Sequence, residues 1–387
     1  MSGPLRIALV AGEASGDLLG AAFIEAVRAQ RPDAQFRGVA GPRMVAAGCR
    51  ALAGADELAV MGFVEPLRHL PRLLRLRSRL IHDFLQDPPD VFIGIDSPSF
   101  NLGLAKRLKR AGLPTVQYVS PQVWAWRQGR VKTMGRSVDL VLCLLPFEAA
   151  FYAEHDVRAE FVGHPLADQI PLAPDRVAAR AALGLPSDAQ VVALLPGSRV
   201  GEVTRLGDAF AAAASLLAAR RGSSAPCFIA PMANAKVKEL FAAQVAAHGA
   251  PVRLLDGQSR QALVAADAVL VASGTATLET MLSKRPMVVA YRVAPLTAFL
   301  ARELGLVKTR YCSQPNLLAG EELVPEFLQE AVTPEALADA LARQLDDGAN
   351  RERLVARFGD LHRTLRCDGA ARAADAVLAL LRSRAMP

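Results

Sequence analysis

Val191–Glu202, reading VVALLPGSRVGE, is the stretch from which the rest of the chain is best read. Val191 to Leu195 is an apolar run, the pattern of a buried strand. It breaks at Pro196 into Gly197, Ser198 and Arg199, and from Gly201 onward the pattern is helical. A strand, a small-residue turn and a helix start together receive anions. Gly197 lets a phosphate approach the backbone, free N–H groups at the helix start point at it, and Arg199 adds a charge that stays on at any relevant pH. An ordinary strand-to-helix connection of an α/β protein reads the same way, so the choice rests on what surrounds it.

The same alternation runs in both directions from this stretch. Downstream, strands near Phe228, Val252, Val269 and Val288 alternate with helices. Upstream, Arg6 to Ala11 is a short strand leading into Gly12, Glu13, Ala14, Ser15, Gly16 and Asp17 and a helix running to about Gln30. Val91–Ile95, Thr115–Val119 and Leu140–Cys143 continue the series. This repetition predicts parallel sheets with helices on both faces. The pattern pauses at Gly163, His164 and Pro165, and Pro171 and Pro174 follow. The reading is therefore an α/β protein of two Rossmann-like domains facing a cleft: 1–168, then 169–349. The tail 350–387 is helical, with Leu354, Phe358, Leu361 and Leu365 on one stripe, and is expected to pack back on the first domain or on a partner chain. Neither a G-x-G-x-x-G fingerprint nor a G-K-[ST] P-loop is present.

A chain of 387 residues is natural for two domains and can bury two cores. Although 52% of residues are hydrophobic, no segment supplies about 18 uninterrupted apolar residues, and nothing at the N-terminus reads as a signal or transit sequence. A cytoplasmic protein is expected. Cysteines at 49, 143, 227, 312 and 367 are scattered and odd in number, and the six histidines form no i, i+4 pair, so neither a disulfide framework nor a metal site is expected. No cofactor is called for. The net charge of +7 is unevenly placed: from Pro66 to Arg136 there are 13 Lys+Arg against four Asp. Any positive partner surface thus belongs to the first half.

Candidate chemistry sits at strand ends, where open α/β sheets bind ligands. In the second half, Ser273, Gly274 and Thr275 form another anion-receptive helix start, and Glu279, one turn on, could accept hydrogen bonds from a ribose. The amides of Gln314 and Asn316 could read a base edge or a phosphate. With Gly197, Ser198 and Arg199, these fit a nucleotide diphosphate-sugar better than a dinucleotide. In the first half Asp96 ends a strand and could serve as a general base, the alternative being an N-cap for the next helix. Glu13 and Asp17 could be caps or could face the cleft. Ser120–Arg130 puts Trp124 and Trp126 beside Arg127 and Arg130; exposed, the rings would suit sugar stacking or a membrane interface, and buried they would be core. From Met61 to Leu80, leucines interleave with Arg68, Arg72, Arg75, Arg77 and Arg79, and no acid occurs from Pro66 to His82. A basic amphipathic helix fits an anionic membrane or a lipid substrate; a solvated face of an ordinary helix is the alternative.

With these residues in view, the chain resembles the lipid-A-disaccharide synthase family over nearly its full length. The resemblance is carried by AGEASGD (Ala11–Asp17), MGFVEPLRHLPRL (Met61–Leu73), GID (Gly94–Asp96), YVSPQVWAWRQGR (Tyr118–Arg130) and LPFE (Leu145–Glu148). GHPLAD (Gly163–Asp168), LLPGSR (Leu194–Arg199), SGTATLE (Ser273–Glu279) and PNLLAG (Pro315–Gly320) extend it. It implies a GT-B glycosyltransferase that transfers a 2,3-diacylglucosamine unit from UDP to 2,3-diacylglucosamine 1-phosphate. It also implies a peripheral enzyme on the cytoplasmic face of the inner membrane, and a homodimer exchanging C-terminal helices. Asp96 and Arg199 would be catalytic. Glu13, Ser15, Met61, Phe63, Leu67, Arg68, Leu70, Arg72, Leu73, Leu74, Trp124, Trp126 and Arg127 would face acceptor and membrane. Family members often carry a second Asp where this chain has Ser99, which leaves Asp96 as the leading carboxylate. Another UDP-sugar enzyme of this fold, a UDP-GlcNAc 2-epimerase or a peptidoglycan glycosyltransferase, could share the donor half. The basic charge alone would suit a nucleic-acid-binding protein, but no RRM, KH or helix-turn-helix signature accompanies it.

Overall fold

Aliphatic runs with no polar face are stable only as strands covered on both sides, which is how parallel sheets are built. The computed structural model describes residues 3–59, 66–121, 123–124, 131–294 and 309–385. The chain divides into two compact units, Met1–Asp168 with Leu365–Pro387, and Gln169–Thr364. The first holds β1 (Arg6–Ala11), β2 (Gln35–Ala40), β3 (Cys49–Gly54), β4 (Val91–Ile95), β5 (Thr115–Tyr118), β6 (Leu140–Cys143) and β7 (Ala159–Phe161). Their order is β3-β2-β1-β4-β5-β6-β7. The second holds β8 (Val191–Leu195), β9 (Cys227–Met232), β10 (Val252–Asp256), β11 (Ala268–Ala272), β12 (Met287–Tyr291) and β13 (Glu326–Leu328), ordered β10-β9-β8-β11-β12-β13. Every recorded pairing is parallel. In each sheet the winding reverses beside the unit's first strand, between β1 and β4 and between β8 and β11, and the loops leaving those strands part there.

Strand β4 shows why these segments carry no polar residue. All five of its residues are buried: Val91, Ile93 and Ile95 join the core under the Ala14–Gln30 helix, and Phe92 points to the opposite core with Phe84 and Leu104. The C-terminal helix Gly369–Ala385 belongs to the first of these cores through Ala373, Val377 and Leu381. It is fastened at both ends: Asp168 accepts from the amides of Asp368 and Gly369 (3.1 and 2.8 Å), and Arg384 pairs with Asp139 at 2.8 Å. The tail is nonetheless not one body. Residues 350–364 lie in the second unit, where Leu354, Phe358 and Leu361 are buried, Arg351 bonds the Leu345 carbonyl (3.1 Å) and His362 meets Lys284. Only the part from Leu365 returns to the first unit.

The basic helix spans Pro66–Gln86. Leu73, Leu76, Leu80 and Phe84 repeat at helical spacing and are buried, whereas Leu70 and Leu74, a quarter turn away, remain 46% and 41% exposed, as does Leu85 at 42%. Leu73, expected on the lipid-facing side, is therefore a core residue. Arg72 pairs with Glu57 at 3.3 Å and Arg79 donates to the Leu52 carbonyl at 2.9 Å. Met61, Phe63, Trp126 and Arg127 lie outside the described residues, as do the side chains of Leu67 and Arg68. No helix among the described residues is long and apolar enough to cross a membrane. The two faces of this helix should separate in urea unfolding. Leu80→Ala should cost about 2–5 kcal/mol by opening a cavity, and Leu74→Ser less than about 0.5 kcal/mol.

Candidate active site

In the first unit the carboxyl ends of β1 and β4 are neighbours, Ala11 pairing with Ile95. Beyond that pair the backbone turns sharply: Asp96 and Ser97 both adopt left-handed conformations (φ 51° and 42°), and Val119, after β5, has φ 76°. Three such non-glycine residues on adjacent strand ends are uncommon, and each costs on the order of 1–3 kcal/mol unless neighbours hold it. Here they do. The Asp96 carbonyl accepts from Asn101 Nδ2 (2.9 Å) and Gln117 Nε2 (3.0 Å), both fully buried amides, and its N–H donates to the Tyr118 carbonyl (2.8 Å). Gly12 presses against this corner; a Cβ there would come within 2.3 Å of Ser97 Oγ.

The N-cap of the following helix, Pro98–Arg110, is Ser97 and not Asp96, so the Asp96 carboxylate is not spent on capping. Burial holds its carboxyl above the usual carboxylate range, partly offset by the Ser97 amide. Glu13 occupies the N-cap position of Ala14–Gln30 without making a side-chain cap bond, and Glu13 and Ser15 are both exposed. Asp17 is buried and accepts from the amides of Arg43 and Met44 (3.0 Å each), so it caps the short helix Pro42–Ala46. His164 is likewise structural: Nδ1 accepts from the Leu166 amide at 3.2 Å, and burial lowers its pKa to about 4.

Trp124 is half-buried. Its Nε1 donates to Glu148 Oε1 (3.0 Å) and its ring meets Phe147 edge-on at 4.8 Å. Glu148 is itself 4% exposed, takes the Leu145 amide on Oε2 (3.0 Å), and has its pKa pushed up to about 7 by burial. Sequence reasoning did not single it out, although a glutamate three residues after a helix-capping position is a legible signal.

In the second unit β8 and β11 are adjacent, Leu195 pairing with Val271, so the loops after them lie side by side. The first loop differs from expectation. The Ser198 and Arg199 amides, read as open to an anion, both donate to Glu202 Oε2 (2.9 and 3.2 Å). Gly197, at φ 135°, makes room for that carboxylate; a Cβ there would meet the Glu202 Cβ at 2.4 Å. The Arg199 guanidinium, 73% exposed, makes only a long ion pair with Glu202 Oε1 at 3.5 Å. The second loop is open: Gly274 and Thr275 are exposed at the start of Thr275–Leu282, with nothing within 4 Å of a Cβ built on Gly274. Ser273 Oγ donates to the Cys312 carbonyl (2.7 Å) and the Gln314 amide to Thr277 Oγ1 (3.2 Å), which draws in the third loop. Gln314 Oε1 is buried without a partner, while Glu279 is half-buried with its carboxyl raised by burial.

Asn316 does not join this site. It is fully buried, its Nδ2 donating to Val324 O and Glu326 Oε1 (2.9 and 2.8 Å) and its Oδ1 accepting the Leu323 and Val324 amides (2.8 and 3.0 Å). Its hydrogen-bonding capacity is exhausted inside the fold. Among the described residues no group of three His, Cys, Asp or Glu side chains is placed to hold a metal ion.

A family model described as lipid-A-disaccharide synthetase matches residues 7–377. The chain belongs to that family. A lipid-A-disaccharide synthase from Alkalilimnicola ehrlichii is 55% identical to it over 379 residues, 97% of this chain and 98% of the relative. One from Pseudomonas aeruginosa is 54% identical over 385 residues, 99% and 100% of the two chains. Among solved structures, the glycotransferase of kitacinnamycin matches with a TM-score of 0.61 at 18% identity, covering 97% and 98%. The UDP-GlcNAc 2-epimerase from Neisseria meningitidis bound to UDP-GlcNAc reaches 0.63 at 10%, covering 98% and 100%. Likenesses at such identities show the fold alone, two Rossmann-like units of the GT-B kind. Membership in the synthetase family makes this chain a glycosyltransferase, and the epimerase reading is not favoured.

For this family member the buried Glu148 carries a pH signature. Unfolded, it loses its proton near pH 4.5; folded, it keeps it to about pH 7. Between those values the folded state binds more protons, so the stabilisation, full below the lower value, declines by up to roughly 3 kcal/mol as pH rises through the higher one. Urea unfolding from pH 5 to 8 should show this slope in the parent and a flatter one in Glu148→Gln. Equal slopes would remove Glu148 as its source.

Proposed function

We propose that the chain condenses UDP-2,3-diacylglucosamine with 2,3-diacylglucosamine 1-phosphate, giving the β-1,6-linked disaccharide 1-phosphate and UDP. The observation that carries this reading is the 55% identity to a relative bearing the synthase name along almost the whole of both chains. Mass spectrometry of the product from both purified lipids tests it; UDP release without a disaccharide would refute it.

The roles divide by unit. Asp96, raised by burial at the turning point of the first sheet, takes the proton of the acceptor 6-hydroxyl as that oxygen attacks the anomeric carbon from the face opposite UDP. The bond to the diphosphate breaks with its electron pair, and the configuration inverts. In the second unit, Glu202 already holds the Ser198 and Arg199 amides, so we assign the departing pyrophosphate to the open Gly274–Thr275 helix start and the Arg199 guanidinium. Glu279 holds the ribose hydroxyls, and the unpartnered Gln314 Oε1 accepts from the base. Asp96→Asn should lower kcat by roughly 10²–10⁴ with UDP affinity unchanged, whereas Arg199→Ala and Glu279→Ala should weaken UDP binding in calorimetry.

The same reading puts the enzyme on the cytoplasmic face of the inner membrane. Leu70, Leu74 and Leu85 offer exposed apolar surface, and exposed Arg72, Arg75 and Arg79 could each add about 1 kcal/mol of attraction to anionic lipid. A homodimer that trades its C-terminal helices also belongs to this reading; the surface on which Gly369–Ala385 docks within its own chain is the one such an exchange would reuse. Replacing Leu70 and Leu74 by serine, while sparing the core residue Leu73, should reduce co-sedimentation with anionic vesicles and raise KM for the lipid acceptor. Unchanged sedimentation and KM would move the lipid contact elsewhere.

A further inference from the structure

The amino ends of β1, β2 and β3 lie at the opposite edge of the first sheet from Asp96, about 20 Å away for strands of this length. A cavity of about 330 Å³ opens there, and its charged lining is Arg6, Arg28, Arg37 and Arg50 against the single acid Asp87. The excess is built into the register. Arg37 and Arg50 pair directly across β2 and β3, and Arg6 pairs with Gln35, two residues before Arg37. With Ile7, Phe36 and Cys49 directed into the core under Ala14–Gln30, alternation sends Arg6, Arg37 and Arg50 to the other face. Like charges directly opposite on neighbouring strands repel.

The acids nearby do not cancel this charge. Asp87 is shared between Arg6 and Arg37, and these partners hold its carboxyl below the usual range. Asp90 is engaged by the Arg6 backbone amide at 2.7 Å, and Asp33 by Arg31 at 3.1 Å. Arg50 is exposed and has no ion pair among the described residues. Two of the guanidiniums are also held in place in advance. Arg28 lies over the Phe36 ring (5.7 Å) and donates to the Ala47 carbonyl (2.9 Å), while Arg37 lies over Phe84 (5.6 Å). Planar forks fixed by stacking bind tetrahedral oxyanions with little further loss of entropy.

We infer that this cavity is a phosphate-binding site, distinct from the donor and acceptor loops, whose occupant is inorganic phosphate or the phosphomonoester headgroup of a lipid. Arg37, held over Phe84 and bonded to Asp87, is its fixed wall on the face that Arg6 and Arg50 share, Arg28 reaches the rim from the helix side, and Arg50 is the side chain that closes on the anion. Bound phosphate relieves the Arg37–Arg50 repulsion and so stabilises the first unit by mass action.

Calorimetry on the full chain with UDP saturating, titrated with inorganic phosphate and then with dibutyryl phosphatidic acid, tests this. Saturable binding in the parent should weaken about tenfold or more in Arg50→Glu, return in large part in Arg50→Lys, and persist in Arg199→Ala. Without ligand, Arg50→Glu should melt no lower than the parent, because it turns a like-charge pair into a bridge, and phosphate should raise the melting temperature of the parent but not of Arg50→Glu. Vesicles of phosphatidylcholine with and without phosphatidic acid separate the sources. Arg50-dependent capture by the acidic vesicles identifies a lipid headgroup, and Arg50-dependent binding of free phosphate alone identifies a soluble anion. Absence of saturable binding, or equal binding by the parent and Arg50→Glu, would overturn the proposal. Loss of binding in Arg199→Ala but not in Arg50→Glu would overturn it too, since the anion would then sit at the donor loops.

Discussion

The two buried amides on the Asp96 carbonyl are the contact on which the strand-end corner of the first unit depends. Left-handed backbone at Asp96 and again at Ser97 is unfavourable for residues with a Cβ. Asn101 and Gln117 offset that cost by giving the strand-end carbonyl two donors in place of the next ladder bond. The result is a carboxylate lifted off the end of β4, next to the loop after β1, and released from the capping duty that an aspartate before a helix would ordinarily take. Gly94 and Gly12 serve the same corner: a Cβ on either would strike Asn101 or Ser97. Backbone strain and the elevated carboxyl thus have a common origin in how β4 ends.

The second unit solves a related problem differently. Its first turn carries Gly197, and the chain fills the amide nest there with its own Glu202 carboxylate. A helix start is satisfied equally well by an internal or an external anion, since both meet the same exposed N–H groups and the same dipole. The internal carboxylate leaves Arg199 projecting into solvent and leaves the neighbouring Gly274–Thr275 start, which has no acid three residues on, as the open position. A helix start capped by its own acid beside one without a side-chain cap makes the loops after β8 and β11 asymmetric.

The basic character of the first half also resolves into separate uses. On the Pro66–Gln86 helix the arginines flank exposed Leu70 and Leu74, while Leu73, Leu76 and Leu80 anchor the helix to the sheet. At the amino ends of the strands the arginines face one another across β2 and β3 and share too few acids. One suits an extended anionic surface and the other a small compact anion, and the difference lies in whether apolar side chains or stacked guanidiniums surround the charge.

Strands with unbroken aliphatic runs, such as Val91–Ile95 and Val191–Leu195, were legible because burial on both faces leaves no freedom in residue type, and the strand-helix alternation followed from them. The places of Asp96, Arg199 and the Ser273–Thr275 turn after strands, and of Glu279 in the helix that follows the last of them, were legible because the end of a strand is itself a sequence pattern. Strands β7 and β13, three residues each, left no periodicity to read, and β2 is interrupted by Gly38, so partner strands alone define them. Partnership was equally invisible. The sequence shows an amide at Asn316 and at Gln314, but only the folded chain decides that Glu326 and three backbone groups consume the first while the carbonyl of the second is left bare. Likewise it shows leucines at 70, 73 and 74, and only packing against the sheet sends 73 inward. Local pattern determines which element forms and what its end offers; whether an offered group is free depends on hydrogen bonds and contacts from residues remote in the chain, which no local pattern encodes.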